Sequence, residues 1–285
     1  MDKILKEKLI FLANKYENSN FLEKDPSRFM HEFSNPREQE IVAFIAANMS
    51  FGRREQILLH IEMILSDFKR KNLLPSEWIL SENYKIFFTQ GNKSFYRMFT
   101  HNDMILFFDG LKRILEQSTS FGAYVKNRIE ESEQFDLRNS QFGKESKWFC
   151  ERSGRFGEKN FPCKIIASDF DLNCKIIPHT KQSADKRINM FLRWMVRKNS
   201  PVDLGLWSSW FSQKNLLMPL DIHVMQEATK LGLISPSKSG KVLNANLKTA
   251  ISLTEKLKEV FPDDPVKADF ALFGYGVSAS SVILN

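Results

Sequence analysis

Cysteine is scarce in this sequence, and its scarcity excludes several classes of protein. The 285 residues contain three cysteines, Cys150, Cys163 and Cys174, an odd number without a closely spaced pair. This pattern argues against a disulfide framework and against a four-cysteine zinc or iron–sulfur site. The five histidines form no metal-binding motif. We therefore expect a protein of the reducing cytoplasm without a cysteine- or histidine-based metal site.

Export and membrane signals are also missing. Residues 1–8 mix charged with apolar side chains, which is not typical of a signal peptide or a membrane span. Neither export nor membrane anchoring is therefore predicted. A chain of this length can bury a sizeable core without cross-links.

Two features of the composition stand out. The chain has 25 phenylalanines against five tyrosines, and we interpret this surplus first as core packing. Its formal net charge is +7, which permits a polyanionic partner, because lysine and arginine gain from neutralising phosphates. Many basic proteins bind no nucleic acid, so charge alone does not decide the partner.

Helical patterns dominate the chain, and we predict a mainly α fold. Asn35 is placed to cap a helix, Pro36 to occupy its first position and Glu38 to fold back as in a capping box. A second helix begins at Arg53, so two helices meet at residues 49–54. Further helices are predicted at 104–116, 185–198, 221–231 and 245–260, and after Pro265.

The sequence pattern divides the chain into three predicted parts: a central lobe, an insertion and a second lobe. Residues 133–176 lack sustained periodicity and are rich in small and polar residues, so we predict a loop-rich insertion with a small strand pair. Residues 36–132 are predicted as a central helical lobe. Residues 1–35 and 177–285 are predicted as a second helical lobe, discontinuous in sequence, that contains Lys186 and Asp221.

Lys186 stands at a predicted helix start that Ser183 or Asp185 would cap. The positive end of a helix and the neighbouring Arg187 both disfavour a second cation there. A neutral lysine can attack carbon and form a Schiff base. The alternative is a solvated surface lysine.

Asp221 precedes another predicted helix, and its simplest interpretation is an N-cap. The run 217–224, Leu-Met-Pro-Leu-Asp-Ile-His-Val, with Leu-Gly-Leu at 231–233, resembles the catalytic segment of helix-hairpin-helix DNA glycosylases. The resemblance implies a two-lobed helical fold with a central DNA-binding cleft. It also implies that Asp221 is the catalytic aspartate and Lys186 the nucleophile.

One departure qualifies the resemblance. Most of these enzymes place the lysine after a glycine-rich hairpin, whereas residues 181–186 contain no glycine. Lys186 and Asp221 are also 35 positions apart, a long spacing that is similar to the divergent archaeal 8-oxoguanine glycosylase branch. Lys181, Lys186 and Arg187 are then expected to share the contact with phosphate that the hairpin would make.

The resemblance implies further site residues. Residues 43–50 are similar to an early helix of the family, whose end leads to residues that fill the gap left by a flipped base. The expected DNA contacts there are Ser50, Phe51, Arg53 and Arg54. The expected base pocket consists of Asp269, Phe273, Met190 and Phe191. Ordinary junction residues and core packing are the alternatives for these two sets.

The function implied is that of a monomeric, bifunctional DNA glycosylase and AP lyase of base excision repair. Its partner would be double-stranded DNA that contains a damaged base, with 8-oxoguanine as the first choice, and it would act at the nucleoid without a cofactor. One alternative is a non-catalytic helical nucleic-acid-binding protein. Another is a helical scaffold whose basic surface meets an acidic protein.

Overall fold

Two compact units make up the protein. The computed structural model describes residues 1–140, 161–236 and 245–283, and the side chains of 1–132, 161–236 and 245–276. Unit 1 combines Met1–Glu23 with Thr180–Asn285, and unit 2 is the continuous segment Lys24–His179. Cys150 and residues 141–160 of the predicted insertion lie outside the described residues.

In chain order, the first α-helices are α1 (Lys3–Tyr16), α2 (Pro36–Met49), α3 (Arg54–Lys71), α4 (Pro75–Leu80), α5 (Asn83–Phe87), α6 (His101–Gln117), α7 (Phe121–Ser140) and α8 (Pro162–Ser168). They are followed by α9 (Lys186–Val196), α10 (Ile222–Lys230), α11 (Leu247–Leu257) and α12 (Ala268–Ile283). Short 3-10 helices span Ser19–Lys24, Pro26–Glu32, Gln213–Asn215 and Pro265–Lys267. Strands β1 (Ser94–Tyr96) and β2 (Phe99–Thr100) pair antiparallel between α5 and α6.

The mainly α prediction is confirmed. Across the described ranges, the sheet structure is this one short hairpin, with Ser94 opposite Thr100 and Tyr96 opposite Phe99. No described helix is both long and apolar enough to cross a membrane.

Two buried glutamates of α2 connect it to two other helices of unit 2. Glu38 accepts hydrogen bonds from the backbone N–H of Ser76 at 2.8 Å and from its hydroxyl at 2.7 Å, in the first turn of α4. Glu40 accepts from the backbone N–H of Gly122 at 3.0 Å, in the first turn of α7. Each carboxylate satisfies an N–H that has no partner within its own helix. The start of α2 therefore organises the starts of α4 and α7.

This arrangement corrects one prediction for α2. Asn35 caps the helix, its side chain accepting from Arg37 N–H at 3.0 Å, and Pro36 is the first helical residue, as predicted. The capping box with Glu38 is wrong. The Glu38 carboxylate instead accepts two hydrogen bonds from Ser76 of α4, because a buried carboxylate is more stable where it meets two donors.

The phenylalanine surplus in unit 2 is largely core, as predicted. Phe44 of α2 lies against Phe107, Phe121 and Phe170, with ring centroids 4.8–5.7 Å apart. Trp78, Tyr84, Phe88 and Phe108 form a second buried group. Gly110 of α6 allows Phe170 to approach, because a Cβ there would lie 2.3 Å from the ring.

In unit 1, α12 packs against both α1 and α10. Two glycines allow the close approach, since a Cβ at Gly274 would lie 2.5 Å from the Tyr16 ring and one at Gly276 3.2 Å from His223. The first turn of α10 and the second and third turns of α12 therefore belong to one packed group of helices.

Two predicted boundaries differ from the structure. Residues 24–35, predicted with the second lobe, belong to unit 2, because the 3-10 helix Pro26–Glu32 packs against α2. The predicted loop-rich insertion 133–176 is wrong at both ends, since α7 continues to Ser140 and α8 occupies Pro162–Ser168. Buried Ile165, Ile166 and Phe170 show why residues after 160 are not loop.

We predict that Glu38→Ala lowers the free energy of unfolding by about 2–3 kcal/mol, because two buried donors on Ser76 lose their acceptor. Glu38→Gln keeps one acceptor oxygen and should lose less. Urea denaturation followed by circular dichroism measures both. Glu130→Ala, at an exposed position of α7, is the matched control. Equal stability of Glu38→Ala and the control would contradict the bridging role.

Candidate functional site

Lys186 is the first residue of α9 and is half-buried. Its amine makes no hydrogen bond or ion pair with any residue that the structure describes. The prediction of a helix start is confirmed, but the predicted side-chain cap is wrong. Asp185 holds the N-cap position without a side-chain cap, and the Ser183 hydroxyl instead accepts from the backbone N–H of Asp185 at 3.1 Å.

The turn before Lys186 is held in an unusual conformation. Asp185 has φ 44° and ψ 46°, the left-handed region that costs a non-glycine residue roughly 1–2 kcal/mol. Neighbouring bonds hold the turn in place: Asn189 Nδ2 donates to Ala184 O at 2.8 Å, and Leu247 N–H donates to Gln182 O at 2.9 Å. This chain thus reaches a left-handed turn without the glycine that the resemblance leads one to expect, and strain of this kind is enriched at functional sites.

Asp221 caps α10, as its simplest interpretation predicts. Oδ1 accepts from Val224 N–H at 2.8 Å, and the side chain is half-exposed. Oδ2 has no hydrogen-bond partner within the described part of the chain. The cap holds the carboxylate still and leaves one oxygen available.

Asp269, in the first turn of α12, interacts electrostatically with both Lys186 and Asp221. Burial raises the pKa of its carboxyl to about 6, against the opposing effect of the Arg193 guanidinium, with which it forms an ion pair. The charges of Asp221 and Lys186 also act on this pKa, the first raising and the second lowering it. Unit 1 therefore gathers the starts of α9, α10 and α12, with their ionisable side chains, in one region.

A buried network of ion pairs extends from Asp269 through Arg193 and Asp203 to Arg197. Arg193 also meets Asp203, with Nε 3.3 Å from Oδ1, and Arg197, the residue directly after α9, meets the other oxygen of Asp203. Arg197 NH2 further contacts Glu17 and Asp264, each at 2.8 Å.

The pKa directions follow from this packing. Burial raises the pKa of Asp203, although both arginines lower it. Burial lowers the pKa of Arg197, but its carboxylate neighbours more than compensate and the pKa is raised. Both guanidiniums therefore remain charged inside the unit.

The predicted base pocket is supported only in part. Phe191 is fully buried, with its ring edge-on to Trp207 at 5.3 Å, so its role as a base contact is wrong and core packing is the better interpretation. Asp269 pairs with Arg193 and is 6% exposed. The predicted role of Asp269 in recognising the edge of a guanine base is therefore also wrong. Met190 and Phe273 are half-buried, and Phe273 lies edge-on to His223 at 6.1 Å.

The predicted DNA contacts of unit 2 lie where α2 ends and α3 begins. Ser50 is buried and its hydroxyl donates to Ala46 O at 2.7 Å, so the prediction of a DNA contact there is wrong. Phe51 and Arg53 are exposed, and Arg54 is half-buried. The remaining predicted phosphate contacts lie in unit 1, where Lys181 is exposed and Arg187 half-buried.

Two features of these regions were missed from sequence. Arg193 interrupts the buried face of α9, and a charge within such an apolar stripe is a readable sign of a buried ion pair. The β1–β2 hairpin was missed because its strands have three and two residues. No group of three histidine, cysteine, aspartate or glutamate side chains within the described ranges could hold a metal ion.

Comparison with known proteins yields one match. A family model described as "Protein of unknown function (DUF2400)" matches residues 25–278. No curated protein and no solved structure matches the chain.

The buried acid predicts a stability change with pH. Asp269 has a folded-state pKa of about 6 against its ordinary value of 3.8, so it binds its proton more tightly in the folded state. Its contribution to stability is complete below pH 3.8 and is lost as the pH rises through 6. The free energy of unfolding of the wild type, relative to Asp269→Asn, should therefore fall across this window. Urea titrations at stepped pH measure it, and a constant or rising difference would contradict the buried titration.

Proposed function

Since the chain belongs to the DUF2400 family, whose function is unknown, we propose a function from its own residues: a bifunctional DNA glycosylase and AP lyase that excises an oxidised purine, 8-oxoguanine first. One observation carries the proposal. A half-buried lysine without a partner among the described residues and a capping aspartate with a free oxygen act on the same buried acid, Asp269.

The proposed chemistry needs no oxidant or reductant. The electron pair of the Lys186 amine forms a bond to the sugar C1′, the glycosidic bond breaks, and the pair of that bond leaves with the base, which takes up a proton. Asp221 accepts a proton from the amine and stabilises the positive charge that develops on the sugar. Opening of the C1′–O4′ bond, whose oxygen keeps the electron pair and takes up a second proton from the amine, gives an imine.

The lyase step follows from that imine. Loss of a C2′ proton expels the 3′ phosphate, and water then hydrolyses the imine and restores the lysine. The imine acts as an electron sink, so atoms and charges balance without a cofactor.

Asp269 is assigned a supporting role in this proposal. Held by Arg193, it places a second carboxyl near Lys186 and Asp221 without needing to touch the substrate. Its ionisation near pH 6 would change the field at the amine. Met190 and Phe273, both half-buried, remain the proposed contacts to the extruded base.

Phosphate contacts complete the proposal. Phe51, Arg53 and Arg54 in unit 2, and Lys181 and Arg187 in unit 1, remain the proposed DNA contacts. The two-lobed glycosylase-like arrangement with a central DNA-binding cleft, action as a monomer and location at the nucleoid stay predictions that belong to this proposal. The net charge of +7 is compatible with a polyanionic partner.

The nucleophile is tested by borohydride trapping on duplexes that contain 8-oxoguanine or an abasic site. Wild-type protein should become covalently attached to DNA, and Lys186→Gln should abolish the adduct while DNA binding remains detectable, because the imine requires the amine. Lys198→Gln, which removes an exposed lysine just beyond α9, is the matched control and should still trap. Trapping by Lys186→Gln would refute the assignment.

The role of Asp221 is tested by Asp221→Asn. Asparagine caps a helix about as well as aspartate, so this change removes charge and keeps the cap. We expect single-turnover excision to slow by roughly 100-fold or more, with little change in DNA affinity. Asp221→Ala removes both cap and charge and should also lower the melting temperature. Unchanged excision by Asp221→Asn would reduce Asp221 to a structural residue.

A non-catalytic nucleic-acid-binding protein is the second candidate function. The absence of glycine from residues 181–186 favours it, since the resemblance implies a glycine-rich hairpin before the lysine. This alternative predicts salt-sensitive DNA binding without trapping on any lesion. A scaffold for an acidic protein predicts neither trapping nor a preference for damaged DNA.

A further inference from the structure

A surface pocket in unit 2 lies apart in sequence from the residues of the proposed chemistry. Its volume is about 240 Å³, and it is lined by Arg53, Gln56, His60, Phe95, Tyr96 and Arg97. We propose that this pocket binds one nucleotide unit, with the phosphate held by Arg53 and Arg97 and the base against His60 and Phe95. The proposal does not depend on the lysine chemistry, because every lining residue belongs to unit 2.

The charge of the pocket favours an anion. Two of its six lining residues are arginines and none is acidic. Within the described residues, neither Arg53 nor Arg97 forms an ion pair with a carboxylate. Two guanidiniums that share a pocket repel each other, and a phosphate would relieve that repulsion while accepting hydrogen bonds from both.

The start of α3 adds donors to the same place. Arg53 occupies the N-cap position of this 18-residue helix, and no side chain caps it. Arg53, Gln56 and His60 follow one another at helical spacing and line one face of α3. The start of α3 therefore presents a cation, an amide and an imidazole, one after another along the helix, to a bound group.

The imidazole of His60 is oriented for recognition. Nδ1 lies 2.7 Å from Gln56 O, and a carbonyl oxygen only accepts, so Nδ1 must donate. Nε2 is then the nitrogen left for a ligand. The ring lies 4.6 Å from the Tyr96 ring and 5.3 Å edge-on from Phe95, which gives the pocket an aromatic wall.

The hairpin side of the pocket is preorganised by contacts between the β1–β2 hairpin and the α2–α3 junction. The Tyr96 hydroxyl donates to Phe51 O at 2.5 Å, and the Arg97 guanidinium lies 4.8 Å from the Phe51 ring centroid. Gly52, at φ 122°, is required here, because a Cβ would lie 2.7 Å from both Tyr96 Oη and Arg97 NH1. The hairpin and the α2–α3 junction thus hold the pocket in shape before a ligand arrives.

Size and surroundings favour a nucleotide over other phosphorylated groups. The pocket is smaller than the roughly 300–1,000 Å³ typical of drug-sized ligands, so it suits a single unit of a chain. Gln56 and His60 offer a donor and an acceptor for a base edge. The apolar side chains of Phe51 and Met98, 40% and 61% exposed, stand on the neighbouring junction and hairpin, where further bases could stack.

The first test compares small probes on the full-length chain by isothermal titration calorimetry. Deoxyadenosine monophosphate should bind more tightly than inorganic phosphate and than O-phosphotyrosine, because only the nucleotide uses both the arginines and the base contacts. Phosphate binding equal to that of the nucleotide, or tighter binding of O-phosphotyrosine, would overturn the assignment. A fluorescein-labelled single-stranded oligodeoxythymidine, measured by anisotropy, distinguishes a strand from a free nucleotide. Tighter binding of the strand identifies DNA as the source, and tighter binding of the monophosphate identifies a free nucleotide.

The second test uses variants of the pocket. Arg53→Gln combined with Arg97→Gln should weaken binding of the tighter-binding probe about tenfold or more, because two charge-assisted hydrogen bonds are lost. Arg113→Gln, which removes one exposed arginine from the same unit, is the matched control and should retain binding. An equal loss in both proteins would indicate nonspecific charge attraction and contradict the pocket.

The third test needs no variant and therefore does not depend on a variant folding. An oligonucleotide with one 5-iododeoxyuridine is photocrosslinked to the wild-type chain, and the attached peptide is identified by mass spectrometry. Crosslinks within 94–100 or 53–60 support the pocket, and crosslinks confined to other peptides contradict it. Crosslinking within these two segments, without borohydride trapping, would reject the proposed enzyme and leave the pocket. Borohydride trapping without crosslinking in these segments would reject the pocket and leave the enzyme.

Discussion

The burial of two guanidinium groups, one on α9 and one directly after it, constrains the rest of unit 1. A charge removed from water must be compensated by nearby carboxylates, and breaking such a buried pair typically costs about 3–5 kcal/mol. Arg193 and Arg197 meet this requirement with carboxylates from segments distant in sequence: Glu17, Asp203, Asp264 and Asp269. The rotation of α9 and its position against α12 are therefore fixed together.

This constraint reaches the candidate site. Lys186 and Arg193 are seven positions apart, so they lie on the same face of α9, two turns and roughly 10 Å from each other. Locking Arg193 inside the unit thus also sets the direction from which the Lys186 amine emerges. The cap on α10 does the same for Asp221. Two independent interactions, a buried ion pair and a helix cap, therefore orient the two groups that the proposed chemistry needs.

Local signals in the sequence were good at locating helix starts. Asn35 with Pro36, and Asp221, were recognisable because capping depends on residues within one turn. Partners distant in the chain could not be recognised in this way. Glu38 looked like a capping-box residue, yet its carboxylate meets Ser76, and Asp269 looked like a base contact, yet it meets Arg193. Both carboxylates are engaged by partners distant in the chain, and for Glu38 that partner provides more hydrogen bonding than the local capping box.

Helical periodicity had a similar limit. It placed Phe191 and Phe273 on inward faces, but it does not distinguish a solid core from the wall of a pocket, and the two rings differ in burial. Composition also misled at 133–140, where polar residues belong to the end of α7. A polar helix segment and a loop have similar compositions, so composition alone does not distinguish them.

The division of the chain into a continuous and a discontinuous unit has a consequence for biosynthesis. Unit 2, from Lys24 to His179, is contiguous, so it can fold as soon as it has left the ribosome. Unit 1 cannot, because α1 packs against α12 and Glu17 pairs with Arg197, some 180 residues later. Helix α1 must therefore wait, without these partners, until α12 has been translated, so unit 1 is completed only after unit 2 can already have folded.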